Sequence, residues 1–302
     1  MHQLSFKPYI IKTRNDKHLI SNLLKDDYPV LFEGLHTTFF LSKNLFNNRR
    51  IFVRAHNVEH EYYFNLFKNE NHFLDKLYFI VESLKLKKYE KVYKSAKVLA
   101  ISHNDYEYFK NKNYDVYYLP AFNTFDTINA KKGKGKYILY HGNLSVNENT
   151  QALHFLIEHV FPNVTVPIVI AGKDPSSEII GTIKKYKNIK LIINPRNEQI
   201  FDLIRNAHIN ILPTFQPTGI KLKLINALYN GRFCLVNTPM IKNTGLENLC
   251  IIKDTGEEMA LEIIKLFNKS FEQEELDKRC EILLKLFSNT INAKSLINLL
   301  FN

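Results

Sequence analysis

Short apolar runs alternate with amphipathic stretches along most of the chain. In the first half the runs lie at 29–33, 51–54, 98–102 and 116–119, and in the second half they lie at 137–140, 168–171, 189–193, 209–212, 233–236 and 250–252. Their length and composition predict buried strands. Strands that alternate with helices predict parallel sheets, whose functional groups gather at the carboxyl ends of the strands.

Helical spacing of apolar residues fills the intervals between these strands. It predicts helices at 16–25, 146–161, 176–186, 198–206 and 219–229, a helical tail over 256–302, and a long helical segment over 59–96 that breaks near 69–71. Residues 9–12 are predicted to be a short extended piece. Ser145 and Glu148 have the spacing of a capping box at the start of the helix 146–161.

The long helical segment has two distinct faces. Phe73, Leu77, Ile80 and Leu84 form a row that we expect to face the core. Lys87, Lys91 and Lys94 line another face, for which two interpretations stay open. The lysines form a solvated surface, or they contact the head groups of an anionic membrane.

The chain turns polar between Phe122 and Lys136, where the run KKGKGK at 131–136 predicts a hinge or an exposed turn. No helix start follows this run and it matches no Walker pattern, so it does not predict a phosphate loop. We therefore expect two Rossmann-like domains, over 1–125 and 133–274, with a C-terminal helix at 275–302 packing back on the first domain.

The composition limits the classes of function. The chain has 302 residues, of which 45% are hydrophobic, so it can bury a sizeable core. It has no apolar run of about 20 residues, as a membrane-spanning helix requires, and its start lacks the pattern of a signal peptide. We therefore expect a cytoplasmic protein. Cys234, Cys250 and Cys280 have no metal-type spacing, which predicts reduced thiols. The net charge of +11 indicates anionic partners: nucleic acid, an anionic membrane or a phosphorylated small molecule.

The most informative stretch is INILPTFQPTGIKLKLINALYNGRFCLVN at 209–237, which predicts a strand, a loop, a helix and a second strand. In the helix, two apolar stripes leave a narrow polar stripe that includes Lys223 and Asn226. An ammonium group on an otherwise buried helix needs an anionic partner, because an unpaired buried charge is costly. The helix start, with Thr218 as N-cap and Gly219 allowing close approach, also attracts anions. A diphosphate satisfies both requirements.

Several segments resemble motifs of family 4 retaining glycosyltransferases. GIKLKLINA at 219–227 resembles the G-T-R-L-K-x-L-E-A segment of that family, and HGNLSVNEN at 141–149 resembles its G-x-L-S-x-x-K-N motif. VIAGKDP at 169–175 and NAHINILPT at 206–214 are similar to further family segments. VRAHNVEHEYY at 53–63 resembles the first-domain histidine loop of bacterial polysaccharide transferases. This likeness covers about residues 29–290 and implies an α/β protein with the GT-B fold, in which two Rossmann-like domains face a cleft.

The resemblance also implies a reaction and its site. A retaining hexosyltransferase would move a sugar from a nucleotide-diphosphate sugar to a hydroxyl of a glycan or lipid-linked acceptor, without a metal or cofactor. His56 and Lys223 would be catalytic, His56 at the donor sugar or acceptor and Lys223 at the leaving diphosphate. The resemblance assigns these residues to donor binding: Gly142, Asn143, Lys173, Arg196, Asn197, Thr218, Gly219, Ile220, Lys221, Lys223 and Asn226.

Three departures from the family pattern change this expectation. The E-x7-E pair of the family falls on Thr218 and Asn226, and Asn226 can still hydrogen-bond a ribose as a neutral amide. We place the lysine of G-x-L-S-x-x-K-N at Asn147, so Lys221 and Lys223 would compensate the phosphate charge. The Gly-Gly loop that opens the family's first domain is missing, which predicts a shortened first domain. The alternative function is a non-catalytic relative that binds a nucleotide or a partner transferase.

Some candidate residues have a second interpretation. His56 fits a core histidine beside Asn57 as the N-cap of a helix, and His141 and His36 are weaker site candidates. His56 and His60 have the i, i+4 spacing of a zinc pair, but the H-E-x-x-H order is absent and no third ligand is evident. We therefore expect no metal. The aromatic residues sit at core spacing, which argues against nucleic acid as a partner, whereas peripheral contact with the inner membrane face stays open.

Overall fold

The computed structural model describes residues 5–43, 45–46, 49–70, 72–216 and 222–302. The described chain divides into two compact units. The N-terminal unit contains the residues up to 121 together with 290–302. The C-terminal unit contains 122–216 and 222–289.

The N-terminal unit is built on a parallel sheet of order β1-β2-β3-β4. Its strands are β1 (Val30–Glu33), β2 (Ile51–Ala55), β3 (Lys97–Ala100) and β4 (Val116–Tyr118). Phe32 lies opposite Val53, which lies opposite Val98, and all three side chains are buried. The predicted strands of this half are therefore confirmed. Each apolar run fills the interior of the sheet because both faces of a parallel sheet are covered.

Helices α1 (Tyr9–Lys12), α2 (Lys17–Leu23), α3 (Glu59–Asn69), α4 (Phe73–Tyr89) and α5 (His103–Asn111) belong to this unit, with short 3₁₀ turns at Leu35–Thr37, Leu41–Lys43 and Glu90–Ser95. The extended piece predicted at 9–12 is wrong. Ile11 N and Lys12 N both donate to Pro8 O, and Tyr9 N donates to the buried Glu82 carboxylate at 2.6 Å. The carboxylate stabilises the free N–H of this helix start.

The predicted break of the long helical segment is confirmed, since α3 ends at Asn69 and α4 begins at Phe73. The predicted core-facing row is wrong. Phe73, Leu77 and Leu84 are 76%, 52% and 62% exposed. The buried side of α4 instead carries Glu82, Ser83 and Leu86. Hydrogen bonds explain the difference, because Ser83 Oγ donates to His60 O at 2.7 Å and Glu82 accepts from Tyr9 N.

The C-terminal unit contains a parallel sheet of order β10-β9-β8-β5-β6-β7. Its strands are β5 (Ile138–Asn143), β6 (Ile168–Lys173), β7 (Ile189–Ile193), β8 (Ile209–Ile211), β9 (Phe233–Val236) and β10 (Ile251–Ile252). The chain runs outward from β5 to β7 and then returns to β8 on the other side of β5. The winding therefore reverses between β5 and β8. Ligands of open α/β sheets bind outside the carboxyl ends of the strands at such a reversal.

The helices of this unit are α6 (Asn147–Phe155), α7 (Ser177–Ile183), α8 (Asn197–Asn206), α9 (Leu222–Asn230), α10 (Thr238–Ile241), α11 (Gly256–Phe267) and α12 (Gln273–Leu286). A π-helical turn (Leu156–Val160) and a 3₁₀ turn (Phe161–Asn163) extend α6, and another 3₁₀ turn lies at Glu247–Leu249. The order of strands and helices in this half agrees with the prediction.

The capping box predicted from Ser145 and Glu148 is wrong. The residue that precedes α6 is Val146, whose side chain makes no cap hydrogen bond. Ser145 Oγ donates instead to Asn143 Oδ1 at 2.8 Å, within the loop that follows β5. Glu148 Oε1 accepts from Thr214 Oγ1 at 2.9 Å. Both side chains therefore serve the loops at the strand ends.

The helix predicted over 275–302 is divided into α12 and α13 (Asn289–Phe301). Only the second part packs on the N-terminal unit, where Leu296, Leu299 and Leu300 cover a cluster formed by Phe52, Leu99 and Leu119. The α12 helix packs in the C-terminal unit.

The backbone of the run 131–136 is anchored in the C-terminal unit, so of the two predicted alternatives the run is an exposed turn and not a hinge. Gly133 N donates to Phe271 O at 2.9 Å, and Gly135 N donates to His208 Nδ1 at 3.0 Å. A Cβ atom on Gly135 would lie 2.3 Å from His208 N. The glycines therefore allow close packing, while the lysine side chains of the run are exposed.

Arg279 of α12 fixes the carboxyl end of α9. Its guanidinium is 2% exposed and donates to Leu228 O at 2.9 Å and also to Gly231 O and Arg232 O. It also lies 4.7 Å from the centroid of the Phe271 ring. These carbonyls lie in and directly after the last turn of α9, where intrahelical donors run out.

We expect Arg279→Met to lower the free energy of unfolding by about 3 kcal/mol, because it leaves buried carbonyls without donors. Urea unfolding measures this loss. Lys278→Met is the matched control, since Lys278 is the exposed neighbour on α12 and pairs with Glu274 at the surface. The control is expected to keep the stability of the unsubstituted protein. Equal stabilities of the two variants would contradict the anchoring role of Arg279.

Candidate functional site

Three elements of the C-terminal unit converge where the winding of the sheet reverses. They are the start of α6, the segment after β8 that carries Thr214, and α9. Lys223 Nζ of α9 donates to Asn149 Oδ1 of α6 at 3.0 Å. Thr214, in the loop after β8, donates to Glu148 of α6 as described above. Two hydrogen bonds therefore tie α6 to both neighbouring elements at the carboxyl edge of the sheet.

Lys223 is half-buried, as the polar stripe on α9 predicts. Its ammonium lies 5.9 Å from the centroid of the Tyr140 ring, in addition to its bond to Asn149. The remaining helix is buried at Leu224, Ile225 and the residues from Ala227 to Asn230. The amide oxygen of Asn149 is neutral, so it orients the ammonium and carries no charge of its own.

Asn149 is a site residue that the sequence interpretation missed. Its Nδ2 donates to Asn143 O at 2.9 Å, and its backbone oxygen accepts from Tyr140 OH at 2.6 Å. The sequence contained the signal. Counted from Gly142, the lysine position of G-x-L-S-x-x-K-N is Glu148 and the asparagine position is Asn149, so our placement of the lysine at Asn147 was wrong by one residue.

Glycines allow the loop after β5 to approach α6 closely. A Cβ atom on Gly142 would lie 2.9 Å from Asn149 Cγ. A Cβ atom on Gly172, in the neighbouring strand β6, would lie 2.4 Å from Gly142 O. Asn143 is exposed beyond Gly142, and its Oδ1 accepts from Ser145 N at 3.0 Å. Glycine is therefore needed at 142 because the Asn149 side chain fills the space that a Cβ atom would take.

His141 precedes Gly142 and is buried, with 6% of its surface exposed. Its Nε2 atom has no hydrogen-bond partner among the residues that the structure describes. Burial, together with the nearby Lys223 ammonium, lowers the pKa of His141 to about 3. The imidazole is therefore neutral at physiological pH.

The other predicted donor-site residues differ in their placement. Lys173 is exposed at the end of β6, where it lies opposite Asn143 in the sheet. Asn226 is half-buried on α9, one turn after Lys223. Arg196 and Asn197 are exposed at the start of α8, after the edge strand β7, and take no part in the contacts described above. The remaining predicted residues, Thr218, Gly219, Ile220 and Lys221, lie outside the described residues.

His56 lies at the carboxyl end of β2 in the N-terminal unit. Its Nε2 is 3.0 Å from Glu33 Oε2 at the end of β1, and Glu33 Oε1 is 3.4 Å from Arg54 Nη1. The His56 side chain is 39% exposed, and the N-cap of α3 is Val58 rather than Asn57. The interpretation of His56 as a core histidine is therefore wrong. The sequence interpretation missed Glu33, which holds the imidazole at the strand end.

Two further residues of the histidine loop, His60 and Glu59, have distinct surroundings in the N-terminal unit. His60 Nδ1 lies 3.1 Å from Glu90 Oε2, and its ring lies 5.8 Å from that of Tyr108. Burial, with the nearby Asp105 carboxylate, raises the pKa of Glu59 to about 7. Across the described part of the chain, no group of three or more His, Cys, Asp or Glu side chains is placed to hold a metal ion.

The three cysteines are free thiols, as predicted. None of the helices within the described ranges combines the length and the apolar character that crossing a bilayer would require.

Comparison with known proteins agrees with this architecture. No family model matches the chain. A curated relative, an uncharacterized 44.6 kDa protein in the cps region of Klebsiella pneumoniae, is 28% identical over an alignment of 271 residues. The alignment covers 83% of this chain and 68% of the relative.

Solved structures with a similar fold are glycosyltransferases. Sucrose-phosphate synthase from Thermosynechococcus elongatus aligns with a TM-score of 0.72 and 12% identity, over 96% of this chain and 77% of that one. A trehalose-6-phosphate synthase aligns with a TM-score of 0.65 and 10% identity, over 96% and 78%. A mutant of S. aureus TarM, in complex with Fondaparinux, alpha-GlcNAc-glycerol and UDP, aligns with a TM-score of 0.68 and 16% identity, over 94% and 58%. This chain thus spans less than two thirds of TarM. The alignments cover nearly all of this chain, and the predicted GT-B fold is confirmed.

Because His141 is buried and neutral, we expect the free energy of unfolding to depend on pH. Its folded pKa lies below the unfolded value of about 6.5, so the unfolded state binds more protons below that pH, and stability falls as the pH falls from about 6.5 toward 3. We expect His141→Gln to remove this contribution. Between pH 7 and pH 5 the variant should lose about 2 kcal/mol less free energy of unfolding than the unsubstituted protein.

Urea unfolding at both pH values measures how much the free energy of unfolding changes between pH 7 and pH 5. If the substitution also lowers the stability equally at both pH values, this change is not affected. His159→Gln is the control, because the His159 side chain is 60% exposed in the same unit. Its pH dependence should match that of the unsubstituted protein. A His141→Gln profile parallel to both would show that His141 is not held neutral.

Proposed function

We propose that the protein is a glycosyltransferase that moves a sugar from a nucleotide-diphosphate sugar to a hydroxyl acceptor. The observation that carries this proposal is the Lys223 ammonium at the carboxyl edge of the sheet, within a GT-B fold. The edge lies where parallel α/β sheets bind their ligands. A fixed cation at this edge would stabilise the negative charge that develops on a leaving diphosphate.

The donor would bind with its diphosphate near Lys223, Gly142 and Asn143. Asn149 orients the ammonium and packs against Gly142, which holds Lys223 beside the end of β5. Glu148 accepts from Thr214 at the same edge. Lys223 would supply positive charge to the diphosphate of the donor. Lys173 and Asn226 would contact the nucleotide, and Arg196 and Asn197 would border the base.

His56 would act on the sugar side of the reaction. The Glu33 carboxylate, 3.0 Å from its Nε2, orients the imidazole, and its exposure leaves it accessible to a ligand. We propose that it contacts the donor sugar or the acceptor. Retention at the anomeric carbon and independence from metals follow from the resemblance of 219–227 to family 4 enzymes, and are part of the proposal.

The substrate classes are likewise proposals. The similar TarM structure was solved with UDP and a sugar glycoside, which makes UDP-sugars the first donors to test. A glycan or a lipid-linked molecule would be the acceptor. A lipid-linked acceptor would bring the protein to an anionic membrane surface, where the exposed Lys87, Lys91 and Lys94 would meet lipid phosphates.

We expect UDP or GDP, or one of their sugars, to stabilise the protein by roughly 2 to 4 kcal/mol at a large excess over the dissociation constant. Thermal shift measures this effect. Lys223→Met should weaken the binding of the diphosphate by at least about tenfold, because it removes one charge-assisted contact. Lys190→Met is the control, since Lys190 is exposed on β7. If no nucleotide stabilises the unsubstituted protein, the donor site is wrongly assigned.

We expect His56→Asn to abolish transfer while nucleotide binding stays unchanged, because His56 belongs to the other unit. Release of nucleotide diphosphate from a panel of sugar donors and acceptors measures transfer. His18→Asn, an exposed substitution on α2, should keep full activity. An unsubstituted protein that binds nucleotide but neither transfers nor hydrolyses the sugar would be the non-catalytic relative instead.

A further inference from the structure

The α3–α4 hairpin exposes an unusual number of apolar side chains. We define the hairpin surface by five residues of α4, whose exposed fractions are 76% for Phe73, 75% for Leu74, 52% for Leu77, 39% for Val81 and 62% for Leu84. Contiguous exposed apolar surface of this kind marks a site of interaction with another molecule.

The hairpin surface continues directly into a row of lysines. Leu77, Val81, Leu84, Lys88 and Lys91 follow one another at spacings of four, three, four and three residues, so they lie on the same side of the helix and its 3₁₀ extension. Lys88 and Lys91 are exposed, as are Lys87 and Lys94. The stripe is therefore apolar over its first turns and positively charged over its last.

Lysines also flank the apolar end of the hairpin. Lys68 Nζ lies 4.7 Å from the centroid of the Phe64 ring, which stacks on Phe67, and Lys76 Nζ lies 5.3 Å from the centroid of the Phe67 ring. Asp75 is the acidic residue exposed on this part of α4. The surroundings of the hairpin surface are therefore mainly cationic.

The exposure of this surface follows from how α4 is held. Ser83 Oγ bonds to His60 O of α3, Leu86 is fully buried, and the rings of Tyr63 and Phe79 lie 6.1 Å apart. These contacts fix the inner side of α4 against α3. The opposite side, with the hairpin surface, cannot turn inward without breaking them.

We propose that the hairpin surface docks on a bilayer that contains anionic lipids. Phe73, Leu74 and Leu77 would enter the boundary between head groups and acyl chains, and Lys88 and Lys91 would bind lipid phosphates. The separation of an apolar end from a cationic end along one helix matches the layers of a bilayer. This inference gives the proposed membrane contact a defined surface, and it does not depend on sugar transfer.

Vesicle co-sedimentation tests the inference with the full chain. The unsubstituted protein should bind vesicles that contain phosphatidylglycerol and should bind vesicles of phosphatidylcholine alone much more weakly. Binding should decrease as salt is added. The double variant Leu77→Glu, Leu84→Glu should lose binding to both kinds of vesicle. Lys88→Glu, Lys91→Glu should reduce binding to the anionic vesicles by at least about tenfold.

The control is Leu261→Glu, Ile264→Glu on α11, since these residues are 63% and 49% exposed in the C-terminal unit. This variant should bind vesicles like the unsubstituted protein. All variants should keep the nucleotide-induced thermal shift, which separates failure of this inference from failure of the proposed donor site. Vesicle binding that survives the Leu77→Glu, Leu84→Glu substitution would overturn the proposal.

A second copy of the chain is the competing occupant of the hairpin surface. Sedimentation velocity without vesicles distinguishes it. Concentration-dependent dimers that disappear in the Leu77→Glu, Leu84→Glu variant would show that the surface joins two copies, and would overturn the membrane assignment. A protein that stays monomeric and binds anionic vesicles supports it.

Discussion

The C-terminal unit is organised around one positive charge held at the edge of a parallel sheet. Lys223 lies on a helix that is mostly buried, so its ammonium requires polar neighbours. Asn149 of α6 is such a neighbour, because α6 and α9 meet where the winding reverses between β5 and β8. Asn149 meets this need with a neutral oxygen. The same side chain packs against Gly142, so Asn149 holds the ammonium beside the end of β5. The site chemistry and the topology of the sheet are therefore two aspects of one constraint.

Much of the fold follows from the sequence because parallel strands are buried on both faces. Such strands therefore consist of consecutive apolar residues, which are visible in the sequence. All the strands of both sheets lie at or near such runs. Helix faces were less predictable. The row at Phe73, Leu77 and Leu84 has the periodicity of a buried stripe, yet the side of α4 that packs is selected by hydrogen bonds of Glu82 and Ser83 to residues distant in sequence. Periodicity alone carries no information about such partners.

In the candidate site too, local features were predictable from the sequence and long-range partners were not. Lys223 was predictable, since a lysine within an apolar helix is a local feature of the sequence. Its partner Asn149 lies 74 positions away, and the partner of His56, Glu33, lies 23 positions away on the neighbouring strand. Pairing of this kind depends on the order of strands, which the sequence pattern does not contain. The motif that carries Asn149 was recognised, but its meaning needed the structure.

The return of α13 to the N-terminal unit has a consequence for biosynthesis. Leu296, Leu299 and Leu300 cover Phe52, Leu99 and Leu119, which are otherwise part of an open face of the sheet. The ribosome makes these leucines only after the whole C-terminal unit. The unit that emerges first therefore completes its core last, and during translation its uncovered face is a surface for chaperones to shield.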